Sequence, residues 1–126
     1  MSTPKKFSVS RRLLSFVNAL RGIRDMVKTQ HNAWIHAAAM VCVFALGVAF
    51  RISNWEWCFL VLCFMAVWSA EAFNTALELL CELVSPEFHP LVGRAKDVAA
   101  GAVLIAAIGS AIVGAILLMP HVLAMM

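Results

Sequence analysis

The chain has 126 residues, of which 63% are hydrophobic and only 13% are charged, and its formal net charge is +3. Soluble domains average roughly 45–50% apolar and about 25% charged residues, so this composition excludes an ordinary soluble domain. It predicts a single all-α membrane-protein domain over residues 1–126. No basic patch is interleaved with stacking aromatic residues, so nucleic acid is not an expected partner.

The first predicted element is an amphipathic helix over residues 9–28. Apolar residues recur there every three or four positions, and basic residues fill the complementary positions. The apolar set is Val9, Leu13, Phe16, Val17, Leu20, Ile23 and Val27, and the basic set is Arg11, Arg12, Arg21, Arg24 and Lys28. This pattern predicts a helix lying on an anionic membrane surface. One or more of these arginines could also hold a phosphate.

Three apolar segments follow, and each is long enough to cross a bilayer. We expect membrane spans at about residues 33–50, 57–80 and 98–120. The second span should end at Ser85, because the following Pro86 disfavours helical backbone before it. The third helix is predicted to start near Arg94 or Ala95, and its many small residues favour close helix packing.

The distribution of basic residues predicts the orientation. Lys5, Lys6 and the basic residues of the first helix precede the first span, Arg94 and Lys96 lie in the loop before the third, and no Lys or Arg follows Pro120. By the positive-inside rule, the N-terminus and the second loop are then cytoplasmic.

The second predicted span contains an acidic stripe. Glu71, Asn74, Glu78 and Glu82 are spaced three and four residues apart, which places them on one helix face. An ionised carboxylate within a membrane span costs roughly 2.5–3.5 kcal/mol on insertion scales, so such residues usually mark a functional site. Carboxylate and amide oxygens suit a hard cation such as Mg²⁺, and a buried carboxylate could act as a general base.

Arg94, Lys96 and Asp97 lie at the cytoplasmic start of the third helix, just before its span, and two interpretations of them remain open. They could form structural ion pairs with the acidic stripe, such as Glu78 with Lys96, or they could bind phosphates. The chain lacks the GxxxxGK[ST] and GxGxxG motifs, so neither a P-loop nor a dinucleotide fold is indicated. From these residues alone, an enzyme and a small transporter subunit are equally good hypotheses, and a non-catalytic membrane protein is a third.

Two sequence runs resemble the signature of the prokaryotic diacylglycerol kinase / undecaprenol kinase family. They are Glu71-Ala-Phe-Asn-Thr-Ala-Leu-Glu78 and Gly93-Arg-Ala-Lys-Asp97-Val-Ala-Ala-Gly-Ala-Val-Leu104. The resemblance implies a homotrimeric kinase of the bacterial cytoplasmic (inner) membrane, with one surface helix and three spans per subunit. Its members use Mg²⁺ and transfer the γ-phosphate of ATP to a lipid hydroxyl.

The same resemblance implies roles for individual residues. Glu71 would be the catalytic base and Asn74 its polar neighbour. Nucleotide contacts would come from Arg11, Glu78, Glu87, Phe88, His89, Lys96 and Asp97, and the metal ligands would be Glu78 and Gln30. The family usually has Glu at the position of Gln30, so here the second ligand carries no charge. Diacylglycerol, giving phosphatidic acid, is the first expected substrate and undecaprenol is the alternative.

Overall fold

Residues 7–126 are described by a computed structural model, and the whole of that part is helical or connecting loop. Lys5 and Lys6, which entered the charge argument, lie outside it. Four helices follow in chain order: α1 Val9–Thr29, α2 His31–Ala49, α3 Asn54–Val84 and α4 Pro90–Leu123. The last three are long and apolar enough to cross a membrane, so the number of candidate spans equals the three that were expected.

Helix α1 buries only Met26, and its apolar residues, among them Leu13, Phe16 and Leu20, are exposed. A helix therefore forms where the periodicity predicts one, and its position on a membrane surface stays a prediction.

A single residue separates α1 from α2. Gln30 has an extended backbone (φ −103°, ψ 113°), and its N–H donates to the Met26 carbonyl that would otherwise end α1 unpaired. The same residue occupies the N-cap position of α2, where its side chain makes no capping hydrogen bond. This break lets the second helix leave at a new angle, and it places the Gln30 side chain at the helix junction.

Helices α2 and α3 form an antiparallel hairpin with a short turn. Arg51 adopts a left-handed conformation (φ 52°), and the Ile52 N–H donates to the Gly47 carbonyl while the Arg51 N–H donates to that of Val48. These two bonds make a Schellman motif, in which the left-handed position is usually glycine. Ser53 and Glu56 then form a reciprocal capping box at the start of α3.

The predicted start of the third membrane helix was wrong, because α4 begins at Pro90. Proline is well tolerated at the first helical position, where its missing N–H would have no helical partner anyway. The His89 ring nitrogen accepts a hydrogen bond from the Leu91 N–H. The end of α3 at the cap residue Ser85 agrees with the prediction from Pro86.

The packed core lies at the end of the bundle that contains Arg51. Ile52, Leu60 and Leu118 are buried there, with Phe44 and Trp57 packed against them. At the same end, the His121 ring stacks on Phe50 and contacts Glu56 at 2.8 Å. At the opposite end, Gln30 connects α1 to α2 and residues 85–89 connect α3 to α4. We call this the Gln30 end, and the candidate site lies toward it.

Candidate functional site

Glu71 is the most deeply enclosed polar side chain of the described residues, with 1% of its surface exposed. Neither of its carboxylate oxygens has a hydrogen-bond partner. Its own backbone carbonyl accepts a hydrogen bond from the buried Thr75 hydroxyl, which fixes the turn but leaves the carboxylate free. A buried acceptor without a donor is costly, and such a group in a native fold calls for a specific reason, such as a catalytic role or a bound water or ion.

One nitrogen atom lies close to the Glu71 carboxylate. His36 on α2 places Nε2 3.9 Å from Oε2 of Glu71. Sequence reasoning missed His36, because the four histidines are scattered along the chain and only the packing of α2 on α3 selects one of them. The signal that could have found it was the position of His36 on the first span, near the end that faces the acidic stripe.

Nearer the Gln30 end, the side chains of Asn74 and Glu78 on α3 meet that of Gln30. Glu78 accepts a hydrogen bond from Asn74 Nδ2 at 3.2 Å on the same helix. It accepts a second from Gln30 Nε2 at 3.3 Å, from the junction of α1 and α2. The predicted pair of metal ligands is therefore brought together by the fold, with the predicted neighbour of the base beside it.

These residues suit a hard divalent cation. Glu78 supplies carboxylate oxygens, and Gln30 can present its amide oxygen after rotation of the side-chain amide, since the two amide atoms are assigned from the hydrogen-bond pattern. In residues 7–126, no group of three or more His, Cys, Asp and Glu side chains is placed to hold a metal. A cation here would therefore have few protein ligands, as Mg²⁺ does when phosphates and water complete its shell.

A pocket of about 220 Å³ lies between the end of α3, the connecting loop and the start of α4. Four of the predicted nucleotide contacts line it, namely Glu87, Phe88, His89 and Lys96, together with Glu82. Arg11 and Asp97 are exposed and do not line it. The fold thus collects the loop residues and Lys96 into one concave surface.

The ion pair between Glu78 and Lys96, one of the two alternatives from the sequence, does not form. Across residues 7–126 the two contacts between a carboxylate and a basic side chain within 4.0 Å are those of His36 with Glu71 and of His121 with Glu56. Glu78 instead bonds to two amides, and Lys96 lines the loop pocket. This leaves Lys96 available for an anionic ligand.

Comparison with known proteins identifies the family of this chain. The family model described as prokaryotic diacylglycerol kinase matches residues 17–118. The chain belongs to the prokaryotic diacylglycerol kinase family. It is therefore a lipid kinase and a membrane protein, and ATP is its co-substrate.

Individual relatives carry two different substrate names. The chain is 40% identical to the undecaprenol kinase of Bacillus subtilis over 84% of this chain and 86% of the relative. It is 39% identical to the diacylglycerol kinase of Synechocystis over 90% of this chain and 66% of the relative. The diacylglycerol kinase of Escherichia coli is 44% identical over a shorter stretch, 45% of this chain and 47% of the relative.

Proposed function

We propose that this protein transfers the γ-phosphate of MgATP to the hydroxyl of diacylglycerol, which yields phosphatidic acid. The observation that carries the proposal is the buried Glu71 carboxylate, whose oxygens lack partners and which lies on the same helix face as Asn74 and Glu78. Family membership supplies the reaction class. The geometry supplies a candidate base next to a candidate cation site.

In this proposal Glu71 accepts the proton of the lipid hydroxyl, and Asn74 orients Glu78 by its hydrogen bond. Glu78 and Gln30 hold Mg²⁺, which would neutralise charge on the phosphate oxygens. Lys96 adds positive charge from the loop pocket, and Glu87, Phe88 and His89 contact the nucleotide there. Arg11 and Asp97 would reach the nucleotide from the exposed faces of α1 and α4. Phosphoryl transfer depends on such positioning and charge neutralisation more than on covalent help from the protein.

The proposed site lies between an apolar helix, which suits a lipid substrate, and a loop pocket, which suits a water-soluble nucleotide. A lipid alcohol remains in the bilayer, whereas ATP remains in water. Glu71 lies inside an apolar helix, while the loop pocket lies beyond the end of α3 at Val84. A hydroxyl approaching from the hydrocarbon and a phosphate approaching from the loop would meet between them.

Undecaprenol is the second candidate acceptor, and one observation favours it. The undecaprenol kinase of Bacillus subtilis is matched over most of both chains. The hydroxyl chemistry at Glu71 is the same for either lipid. The transporter hypothesis is set aside, because the matched relatives are named kinases.

We also propose that three copies assemble in the bacterial inner membrane with the N-terminus in the cytoplasm. Ile105, Ile108, Ile112 and Ile116 leave one face of α4 exposed, and α4 also carries many small residues that favour helix contact. The basic residues of α1 support the orientation. Native mass spectrometry in detergent should give a trimer, and a cysteine-labelling assay should place the N-terminus inside.

Radiolabelled ATP transfer by the purified protein tests the function. Diacylglycerol and undecaprenol are presented in parallel in mixed micelles with Mg²⁺, and the labelled lipid is separated by chromatography. We expect label on diacylglycerol, and we expect it to be lost in Glu71→Gln. Label on undecaprenol alone would establish the second candidate, and label on neither lipid would contradict the proposal.

A further inference from the structure

The His36 imidazole and the Glu71 carboxylate are separated by a distance at which one oxygen atom could hydrogen-bond to both. Nε2 of His36 and Oε2 of Glu71 are 3.9 Å apart, too far for a direct hydrogen bond. A hydroxyl oxygen lying about 2.8 Å from each atom spans that gap. One such oxygen can donate its proton to the carboxylate and accept a hydrogen bond from an imidazole N–H at the same time.

Both groups are free for that use. Neither carboxylate oxygen of Glu71 has a hydrogen-bond partner, and Glu71 is 1% exposed, so bulk water does not satisfy it. The ionisable groups acting on Glu71 are His36 from α2 and Glu78 from α3. Of these, His36 alone can donate a hydrogen bond.

His36 also borders the apolar interior. It lines a cavity of about 490 Å³ between α2, α3 and α4, whose other walls are mostly apolar, including Val43, Phe64 and Leu118. This volume lies in the range of ligand pockets. Trp68, three residues before Glu71, lines the cavity too, and its buried Nε1 has no hydrogen-bond partner. The cavity wall is therefore mostly apolar, and it includes His36, which lies 3.9 Å from Glu71.

We propose that His36 holds the acceptor hydroxyl against Glu71, with the hydroxyl oxygen bridging His36 Nε2 and Glu71 Oε2. This inference rests on the proposed function and adds to it a hydroxyl-binding residue that the sequence motif does not contain. The lipid O–H bond breaks as its proton passes to Glu71. The oxygen forms a bond to the γ-phosphorus of ATP, the bond from that phosphorus to the bridging β-phosphate oxygen breaks, and ADP leaves. His36 keeps its proton and fixes the oxygen throughout.

Three substitutions of His36 test this role. Gln places an amide nitrogen close to the position of Nε2, Asn places one nearer the backbone, and Leu removes the donor. We expect His36→Leu and His36→Asn to lower kcat/KM for the lipid about tenfold, the loss of roughly one hydrogen bond. We expect His36→Gln to recover most of it and KM for MgATP to stay within about twofold of the unmodified protein in all three.

His31→Leu is the matched control, because His31 is exposed on the same helix. It should leave both constants unchanged, and melting in detergent should confirm that each variant is folded. Should His36→Leu fail to fold, the contrast between Gln and Asn decides the matter.

The proposal is overturned if His36→Leu, or His36→Asn in its place, retains full kcat/KM for the lipid. It is also overturned if Gln and Asn lose equal activity, or if the constants for lipid and MgATP fall together. The unmodified protein serves as the separate test of the proposed function: if it labels no lipid, that function fails, whereas an active unmodified protein with an equally active His36→Leu defeats only the role of His36.

Discussion

Gln30 and Glu78, 48 residues apart in sequence, are joined by a hydrogen bond from Gln30 Nε2 to Glu78 Oε2 at 3.3 Å. The contact links the junction of α1 and α2 to the acidic stripe of α3. It places a neutral amide where a carboxylate would give the cation site a second negative charge. The affinity of such sites for a cation rises with the number of charged oxygen ligands, so in the proposed site we expect this pair to set the Mg²⁺ concentration that activity requires.

Gln30→Glu should therefore lower the Mg²⁺ concentration needed for half-maximal activity, by at least about threefold. Without Mg²⁺ the new carboxylate would face Glu78, and their repulsion should lower the melting temperature. Added Mg²⁺ should restore it, since a ligand that binds the folded state stabilises that state. Asn32→Glu, which adds the same charge at an exposed neighbouring site, is the control. An unchanged Mg²⁺ requirement in Gln30→Glu would remove Gln30 from the cation site.

Glu71→Gln should lower kcat by about 10²–10⁴, the usual contribution of a general base. It removes a buried charge whose oxygens have no partners, so the melting temperature in detergent should rise or stay constant. Lipid phosphorylation and thermal melting are measured on the same preparation. A large loss of both activity and stability would instead indicate that Glu71 maintains the fold.

Arg51→Gly should stabilise the protein by about 1 kcal/mol or less. Arg51 has φ 52° in the turn between α2 and α3, and a left-handed conformation is unfavourable for residues with a Cβ atom. Arg51→Ala keeps the Cβ and should show no comparable gain. Unfolding is followed by circular dichroism during SDS titration, and equal effects of Gly and Ala would contradict the assignment of strain.

Gly47→Ala should destabilise the hairpin by about 1–3 kcal/mol. A Cβ at Gly47 would lie 2.9 Å from Cη2 of Trp57 and 3.0 Å from Cδ1 of Ile52, and a tryptophan ring packed on Phe44 has little freedom to move. Gly114→Ala is the comparison, because Gly114 is buried and a Cβ there would meet nothing within 4 Å. The same SDS titration checks both, and a stable Gly47→Ala would mean that Trp57 can shift.

The loop between α3 and α4 shows where local sequence signals were sufficient and where they were not. The end of α3 at Ser85 could be predicted, because Pro86 acts on the backbone just before it. The start of α4 at Pro90 was missed, since residues 90–97 are polar enough to resemble loop, and the helix there depends on the cap from His89. Hydropathy identifies the apolar part of a helix, but it does not predict polar helical turns that extend past the apolar segment.

The candidate site divides in the same way. Glu71, Asn74 and Glu78 could be assigned to one face from their spacing, because helical periodicity is a local property. Spacing could not assign the partners of that face: Gln30 was named only through the family resemblance, and His36 was found only from the packing of α2 against α3. An ion pair of Glu78 with Lys96 was equally compatible with the sequence, but in the structure Glu78 accepts hydrogen bonds from Gln30 and Asn74 instead.

The sequence alone predicted a helical membrane protein with acidic residues aligned on one face of an apolar helix, because composition and helical periodicity are local properties of the chain. Tertiary structure alone decided that Glu71 is buried, that the His36 imidazole lies 3.9 Å from it, and that the Gln30 amide reaches Glu78 from the junction of α1 and α2. Those facts depend on how separate helices meet in space, and nothing in the spacing of residues along one helix specifies that.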